Sequence, residues 1–218
     1  MLGLGSRSTL FYLEKLNQLY NELHGGYSTC PLKLLNANFN DINPLLPNVS
    51  PELIKNVEKY VKELISLNID ALLIPNITLH ETIDIVFQKE FINVPVIHPV
   101  KITADILSSK NHKNVIVLGS MYTMQSSYIT SIFTNKGITV NQLPKEEMLF
   151  VDKVRREIYE EDNQQLIKEF NELLSEYAAQ TSIVIACTEL SIANKTVSDN
   201  VLDMVTIQIE KAIQSAFQ

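Results

Sequence analysis

The feature that most narrows the fold of this chain is an alternation along its length. Short runs rich in β-branched residues and Leu give way to longer segments whose apolar residues recur at helical spacing. That alternation argues for parallel strands joined by crossover helices, and so for an α/β fold. Candidate strands are Leu32–Ala37, Ala71–Pro75, Val94–His98, Val115–Gly119, Thr139–Gln142, Ser182–Ala186 and Val201–Asp203. The clearest helix is Pro51–Asn68, where Leu53, Ile54, Val57, Tyr60, Val61, Leu64 and Ile65 form one stripe behind a Ser50-Pro51 opening. Further helices are expected at Thr9–Leu23, Glu81–Phe87, Ile102–Ser108, Met124–Asn135, Val151–Tyr177 and from about Met204 to Phe217. With 218 residues, 45% of them apolar, the chain can bury a substantial core as one large domain or two small ones.

The two halves share a coarse plan, in which strands end in small polar clusters. The first half offers Gly5-Ser6 and Asn76-Ile77-Thr78-Leu79-His80; the second offers Gly119-Ser120-Met121-Tyr122-Thr123 and Cys187-Thr188-Glu189-Leu190. Two similar α/β lobes facing one cleft would account for the pattern. Ligands of open α/β sheets bind beyond the carboxyl ends of strands, where backbone N–H groups and helix N-termini favour anions. The opening Met1-Leu2-Gly3-Leu4-Gly5 reads as a strand end entering a glycine turn, either a very short strand or one that begins upstream.

Charge and cysteine usage restrict the partners. A formal charge of −7 without any Lys/Arg-rich run lacks the electrostatic footprint of a nucleic-acid binder, so small molecules are expected instead. No apolar stretch approaches the roughly 18 to 20 residues of a membrane helix, and the first residues lack a basic region followed by an apolar run. Cytoplasmic residence is the resulting expectation. The two cysteines, Cys30 and Cys187, are too few for a disulfide framework and suit a reducing compartment. His24, His80, His98 and His112 show no metal-ligand spacing, so no metal is expected. Ser8 stands where a dinucleotide fingerprint beginning at Gly3 would need glycine, and a nicotinamide cofactor is not supported. The charged run from Arg155 to Glu161 reads as a solvated helix face, His98 as a core residue, and Cys30-Pro31 as the lead into a buried strand.

Cys187 sits where a buried strand gives way to a turn or helix start, a position that lowers a thiol's pKa and suits a base, a nucleophile or a redox group. The bland alternative is a buried cysteine acting as a small hydrophobe. In the first half, Asn76, Thr78 and His80 supply an amide, a hydroxyl and an imidazole; only His80 titrates near neutrality, and it could equally be a helix-start residue bonded to backbone. Ser6, Ser120 and Thr123 could bind a carboxylate or simply cap helices.

In this order and spacing, the clusters resemble the aspartate/glutamate/hydantoin racemase superfamily over nearly the whole chain. Ala186-Cys187-Thr188-Glu189-Leu190 resembles that family's second cysteine motif. Supporting pieces are Gly3 to Thr9 with Phe11-Tyr12, Asn38-Phe39, Asn68-Ile69-Asp70 leading into Thr78-Leu79-His80, Val94 to His98, and Gly119 to Thr123 with Tyr128. The resemblance implies two pseudosymmetric Rossmann-like (flavodoxin-like) lobes with mainly parallel sheets and the active site in the cleft between them. The lobes would be 1–98 plus 204–218 and 99–203. It further implies a homodimer, no cofactor, and racemisation of a small amino acid or dicarboxylate by two cysteines on opposite faces of Cα. Carried over by motif, Cys187 is one acid/base. Asn76, Thr78 and His80 complete the catalytic set, and Ser6, Arg7, Ser120, Tyr122, Thr123, Thr188 and Glu189 are the candidate substrate-binding residues.

One departure bears on the chemistry. The family's first motif reads Cys-Asn-Thr-x-His, and Asn76 stands in the place of its cysteine. An amide exchanges no proton at neutral pH, so symmetric two-thiol racemisation is unavailable as written. Three outcomes stay open: a one-thiol racemase with Thr78, His80 or water serving the other face; an enzyme similar to the superfamily's one-cysteine decarboxylases; or a non-catalytic binder of a small carboxylate. A dicarboxylate's distal group calls for Arg or Lys, and Asn43 to Val49, near where aspartate-selective relatives carry an arginine, has no basic residue. Arg7 and Lys101 are the nearest substitutes by sequence.

Overall fold

The computed structural model describes residues 1–160 and 163–216. Two compact units emerge: residues 1–98 with 208–218, and residues 99–207. The expected α/β class holds, with every strand pairing parallel.

The first unit runs through β1 (Leu2–Gly3), α1 (Ser6–His24), β2 (Leu35–Asn36), two 3-10 turns (Phe39–Asp41 and Asn43–Leu45), α2 (Pro51–Ile65) and α3 (His80–Glu90). Its ladder is shorter than expected. Of Leu32–Ala37 only Leu35–Asn36 pairs as a strand, with β1, and it is not the buried strand expected after Cys30-Pro31: Leu35 is half-buried, and Lys33, Leu34 and Asn36 are exposed. The expected strands Ala71–Pro75 and Val94–His98 meet in a single parallel bridge, Leu72 to Val96. The backbone still lies side by side there: Leu2 N–H donates to the Leu73 carbonyl at 2.9 Å, Leu72 N–H to Pro95 at 2.8 Å, and Ile97 N–H to Leu72 at 2.9 Å. Pro75 and Pro95 have no N–H to donate, which limits how far either ladder extends. The α2 stripe buries Leu53, Val57, Val61 and Leu64 against these segments, and the Ser50 hydroxyl accepts from Leu53 N–H at 3.1 Å, the cap that its sequence signals.

The second unit contains α4 (Pro99–Ser109), β3 (Asn114–Leu118), α5 (Met121–Met124), α6 (Ser127–Thr134), β4 (Thr139–Asn141), α7 (Lys145–Glu160), α8 (Gln164–Ala178), β5 (Ser182–Ile185), α9 (Thr188–Ala193) and β6 (Val201–Asp203). The last helix, α10 (Met204–Ser215), contains the boundary between the units. The strands lie in the order β4-β3-β5-β6. Helices α7 and α8 cover the sheet through Val151, Val154, Ile158, Phe170 and Leu174, all without exposed surface. The expected helix Met124–Asn135 is two helices, because Ser126 turns extended and its hydroxyl accepts from Ile129 N–H at 3.2 Å. The expected Val151–Tyr177 helix is also two: α7 begins after Pro144, and α8 begins at Asn163, whose side chain caps Leu166 N–H at 3.2 Å. Glu161 and Asp162, which that expectation spanned, lie outside the described residues, as does Phe217 at the end of the expected C-terminal helix.

Within the first unit, α1 is tied to α10 by one buried polar bond that the periodicity does not announce. Tyr12, with no exposed surface, donates its hydroxyl to Gln208 Oε1 at 2.6 Å, and Gln208 donates onward to the Ile97 carbonyl at 2.6 Å. Tyr12→Phe removes this donor and leaves a buried amide oxygen without it. The expected loss is about 1–3 kcal/mol, read as a lower urea midpoint at unchanged slope; an unchanged midpoint would show that the bond contributes nothing net.

Candidate active site

The parallel pairing of β3 with β5 brings two of the sequence clusters together at the carboxyl end of the second sheet. Beyond the paired strands, Ala186 N–H donates to the Leu118 carbonyl at 2.8 Å. Gly119 follows at once, and a Cβ there would lie 2.9 Å from both Cβ and Cγ2 of Thr123 and 3.2 Å from the Ala186 carbonyl. Absence of a side chain is what lets the α5 turn close against the strand end that carries Cys187.

Ser120 caps α5: its hydroxyl accepts from Thr123 N–H at 3.1 Å and lies 2.8 Å from the Thr123 hydroxyl. Ser120 thus occupies the capping position with the Thr123 hydroxyl beside it, and Thr123 is buried. Tyr122 is the second residue of α5 and half-buried. The start of the same helix is tied to α7, because Met121 N–H donates to Asp152 Oδ1 at 3.2 Å, an oxygen that also takes Arg155 Nε at 2.8 Å. Arg155 therefore departs from the expected solvated face: its side chain is 30% exposed against 62% for Arg156, and it turns toward Asp152.

Cys187 is the extended residue (φ −159°, ψ 131°) ahead of α9, and its Sγ donates to Glu189 Oε2 at 3.0 Å. The expected lowering of the thiol pKa is not found. Although the residue as a whole is only half-buried, loss of water around the sulfur pushes its pKa well above the ordinary thiol range, and the Glu189 carboxylate adds to this by charge and by accepting the S–H hydrogen bond; Leu190 N–H and the Arg155 charge act in the opposite direction without prevailing. A six-residue helix supplies too little field to offset the loss of water. Thr188, beside the thiol, is 6% exposed.

In the first unit, Asn76 holds the turn into α3. Its side-chain oxygen accepts from Leu79 N–H at 3.0 Å, its backbone carbonyl accepts from His80 Nδ1 at 2.8 Å, and its amide nitrogen stays a donor. His80 has no exposed surface; its Nε2 lies 3.5 Å from Gln208 Nε2 and its ring stands edge-on to His98 at 4.7 Å. His80 thus braces the Asn76 turn through its Nδ1. Thr78 is half-buried in that turn, Ser6 is the exposed first residue of α1, and Arg7 beside it is half-buried; Lys101 is exposed on α4. Cys30 lies at the opposite, amino end of the first sheet, near the Met1 ammonium, and burial raises its pKa. His98, read as a core residue, is 4% exposed.

Asp152, Ser191 and Asp203 were not singled out by the sequence as site residues, and Arg155 figured there only as part of a solvated face. Asp203 had a usable signal, an acidic residue ending a strand directly before a helix. Among the described residues, no three His, Cys, Asp or Glu side chains converge as a metal ion would require, and no helix is long and apolar enough to cross a membrane.

The family model for Asp/Glu/hydantoin racemase matches residues 1–212. The chain belongs to this family. Solved structures agree on the fold: an aspartate racemase homologue from Pyrococcus horikoshii OT3 superposes with a TM-score of 0.86 at 24% identity, covering 100% of this chain and 97% of that one. Picrophilus torridus aspartate racemase gives 0.74 at 20% identity, covering 99% and 92%. Glutamate racemase from Francisella tularensis, in complex with D-glutamate, gives 0.63 at 16% identity, covering 99% and 80%. Proteins with curated descriptions provide no match to the sequence. Membership supports a racemase-like function of isomerase type at this coarse level.

The pairing of thiol and carboxylate sets a direct expectation. In a Cys30→Ser background, Glu189→Gln removes the charge that opposes the thiolate, so Cys187 should be alkylated by iodoacetamide roughly tenfold faster at pH 8. Equal rates would show that burial alone holds the proton. The sign for stability follows: a thiol whose folded pKa is raised contributes stability below the ordinary thiol range and loses it as pH climbs through the folded value. Cys187→Ala should accordingly flatten the decline of the melting temperature on the alkaline side.

Proposed function

We propose that this family member is a cofactor-independent amino-acid racemase-type enzyme in which Cys187 moves the proton at Cα of a small amino acid or dicarboxylate. The supporting observation is the 3.0 Å contact from Cys187 Sγ to Glu189, at a strand end shared with Ser120 and Thr123. At rest the thiol is protonated. To act as base it first yields its proton to Glu189; the thiolate then takes the Cα proton, and the electron pair left behind delocalises into the substrate carboxylate. Thr188, Thr123 and the N–H groups of the two short helices are the donors available to that carboxylate as charge accumulates. In the reverse sense the thiol returns a proton to Cα and Glu189 recharges it.

In this reading Asn76 occupies the place of the family's other thiol and exchanges no proton, so the proton on the opposite face comes from a group other than a second cysteine. The two hydrogen movements then differ in rate, and exchange at Cα outpaces inversion from one enantiomer. A second reading draws support from the thiol itself: a group held in its acid form is suited to protonating a carbanion made by loss of carbon dioxide, as in the superfamily's one-cysteine decarboxylases.

Proton NMR in deuterated water with L- and D-aspartate, L- and D-glutamate and a small amino-acid panel separates the two. Loss of the Cα–H signal is expected, lowered about 10²–10⁴-fold in Cys187→Ala. Exchange that survives in Cys187→Ala would remove the thiol from the mechanism. A folded protein that exchanges no amino acid but releases carbon dioxide from a disubstituted malonate would establish the second reading.

A further inference from the structure

Helix α9 carries the thiol loop, yet six residues are far below the length at which a helix holds itself in water, so its position is set by ties to its neighbours. At its far end, Asn171 of α8 donates to the Ala193 carbonyl at 2.9 Å. Its first turn is held differently. Ser191 N–H donates to the Cys187 carbonyl at 3.0 Å, and the Ser191 hydroxyl lies 3.0 Å from that carbonyl and 2.8 Å from Asp203 Oδ1. Asp203 closes β6, and the same oxygen accepts from Val205 N–H at 2.9 Å and Thr206 N–H at 3.4 Å at the start of α10. One carboxylate oxygen thus joins the end of one strand, the start of one helix and the turn that presents the thiol.

We propose that Asp203, acting through the Ser191 hydroxyl, is a positioning residue that holds Cys187 in register with Glu189. The inference rests on Cys187 being the reacting thiol. A hydroxyl has one proton and here two acceptors, and the ionised carboxylate is the stronger and nearer. The proton therefore goes to Asp203, and Ser191 is pulled toward β6 with the Cys187 carbonyl behind it. Asp203 itself is enclosed: burial raises its pKa, while the Ser191 hydroxyl and the two N–H groups work against that rise and favour the charge. Loss of the tie frees the first turn of α9, and the thiol then moves relative to the charges that face it, Glu189 on its own helix and Arg155 on α7.

The experiment reads that register directly. In the Cys30→Ser background, the pH profile of Cys187 alkylation is measured for the parent, Glu189→Gln, Ser191→Ala and the double variant Glu189→Gln/Ser191→Ala. Ser191→Ala should shift the profile toward lower pH, with alkylation about threefold faster at pH 8 as the sulfur gains water. The roughly tenfold acceleration from Glu189→Gln should vanish when Ser191 is already Ala, since a pair no longer in register has no coupling to lose. Ser191→Thr, which keeps the hydroxyl, should restore both the profile and the coupling. Asp203→Ala should match Ser191→Ala, and combining the two should add nothing further. Asn171→Ala, which loosens the other end of α9, should lower the melting temperature but leave the coupling intact. The inference is overturned if Glu189→Gln accelerates alkylation equally with and without Ser191, or if Asn171→Ala abolishes the coupling as Ser191→Ala does. Alkylation needs no substrate, so a protein that shows the coupling but no Cα exchange would overturn the proposed function and leave the positioning role standing. Where exchange is present, Ser191→Ala should lower kcat about tenfold with KM unchanged.

Discussion

The pairing of β3 with β5 is the constraint on which the rest of the thiol-bearing region depends. Two parallel strands in register finish at the same level, so the turns that follow them must share one small space. That space is available because Gly119 has no side chain, and it is filled by Thr123 from one turn and the Ala186 carbonyl from the other. Everything chemically notable in the second unit follows: hydroxyls at the start of α5, a thiol at the start of α9, and α7 packed beside both with Asp152 and Arg155. A slip in that register would separate these groups without altering any one of them.

Burial decides the state of the thiol. A helix start, a nearby guanidinium and a backbone N–H all favour the thiolate, yet removal of water and one adjacent carboxylate outweigh them together. The result is a thiol favoured in its acid form, with a carboxylate 3.0 Å away. Under the proposed function, a proton would pass between these two groups of the protein before any proton leaves the substrate. A thiol held in this form is also slow to oxidise, since the thiolate is the reactive species.

The fold class was legible because periodicity reports burial, and the sheet strands of the second unit are buried on both faces, as Ile183, Val184 and Ile185 show with no exposed surface. The α2 helix was legible for a second reason, a Ser-Pro opening that names its own cap. What failed to register was local. The break at Ser126 and the new helix start at Asn163 are each marked by a single side-chain cap within a stretch whose spacing reads as helical, and periodicity averages over them. For the site, Cys187 and its neighbours were visible as a motif, but the direction of its pKa shift depends on enclosure, which no local spacing encodes. Asp203 and Ser191 meet across twelve residues of chain, and Tyr12 meets Gln208 across 196; neither pair shares a motif.

Asn76 limits what its own turn can accept. Its side-chain oxygen is the acceptor for Leu79 N–H, and the peptide beside it is gripped by His80. Sulfur accepts hydrogen bonds poorly, so a thiol at this position would leave the turn uncapped at a cost of about 1 kcal/mol. A cysteine at this position is therefore not a neutral alternative, because the turn leans on the oxygen. Position 76 is thus constrained by its own turn: any substitution that lacks the acceptor would call for a compensating change in the turn first.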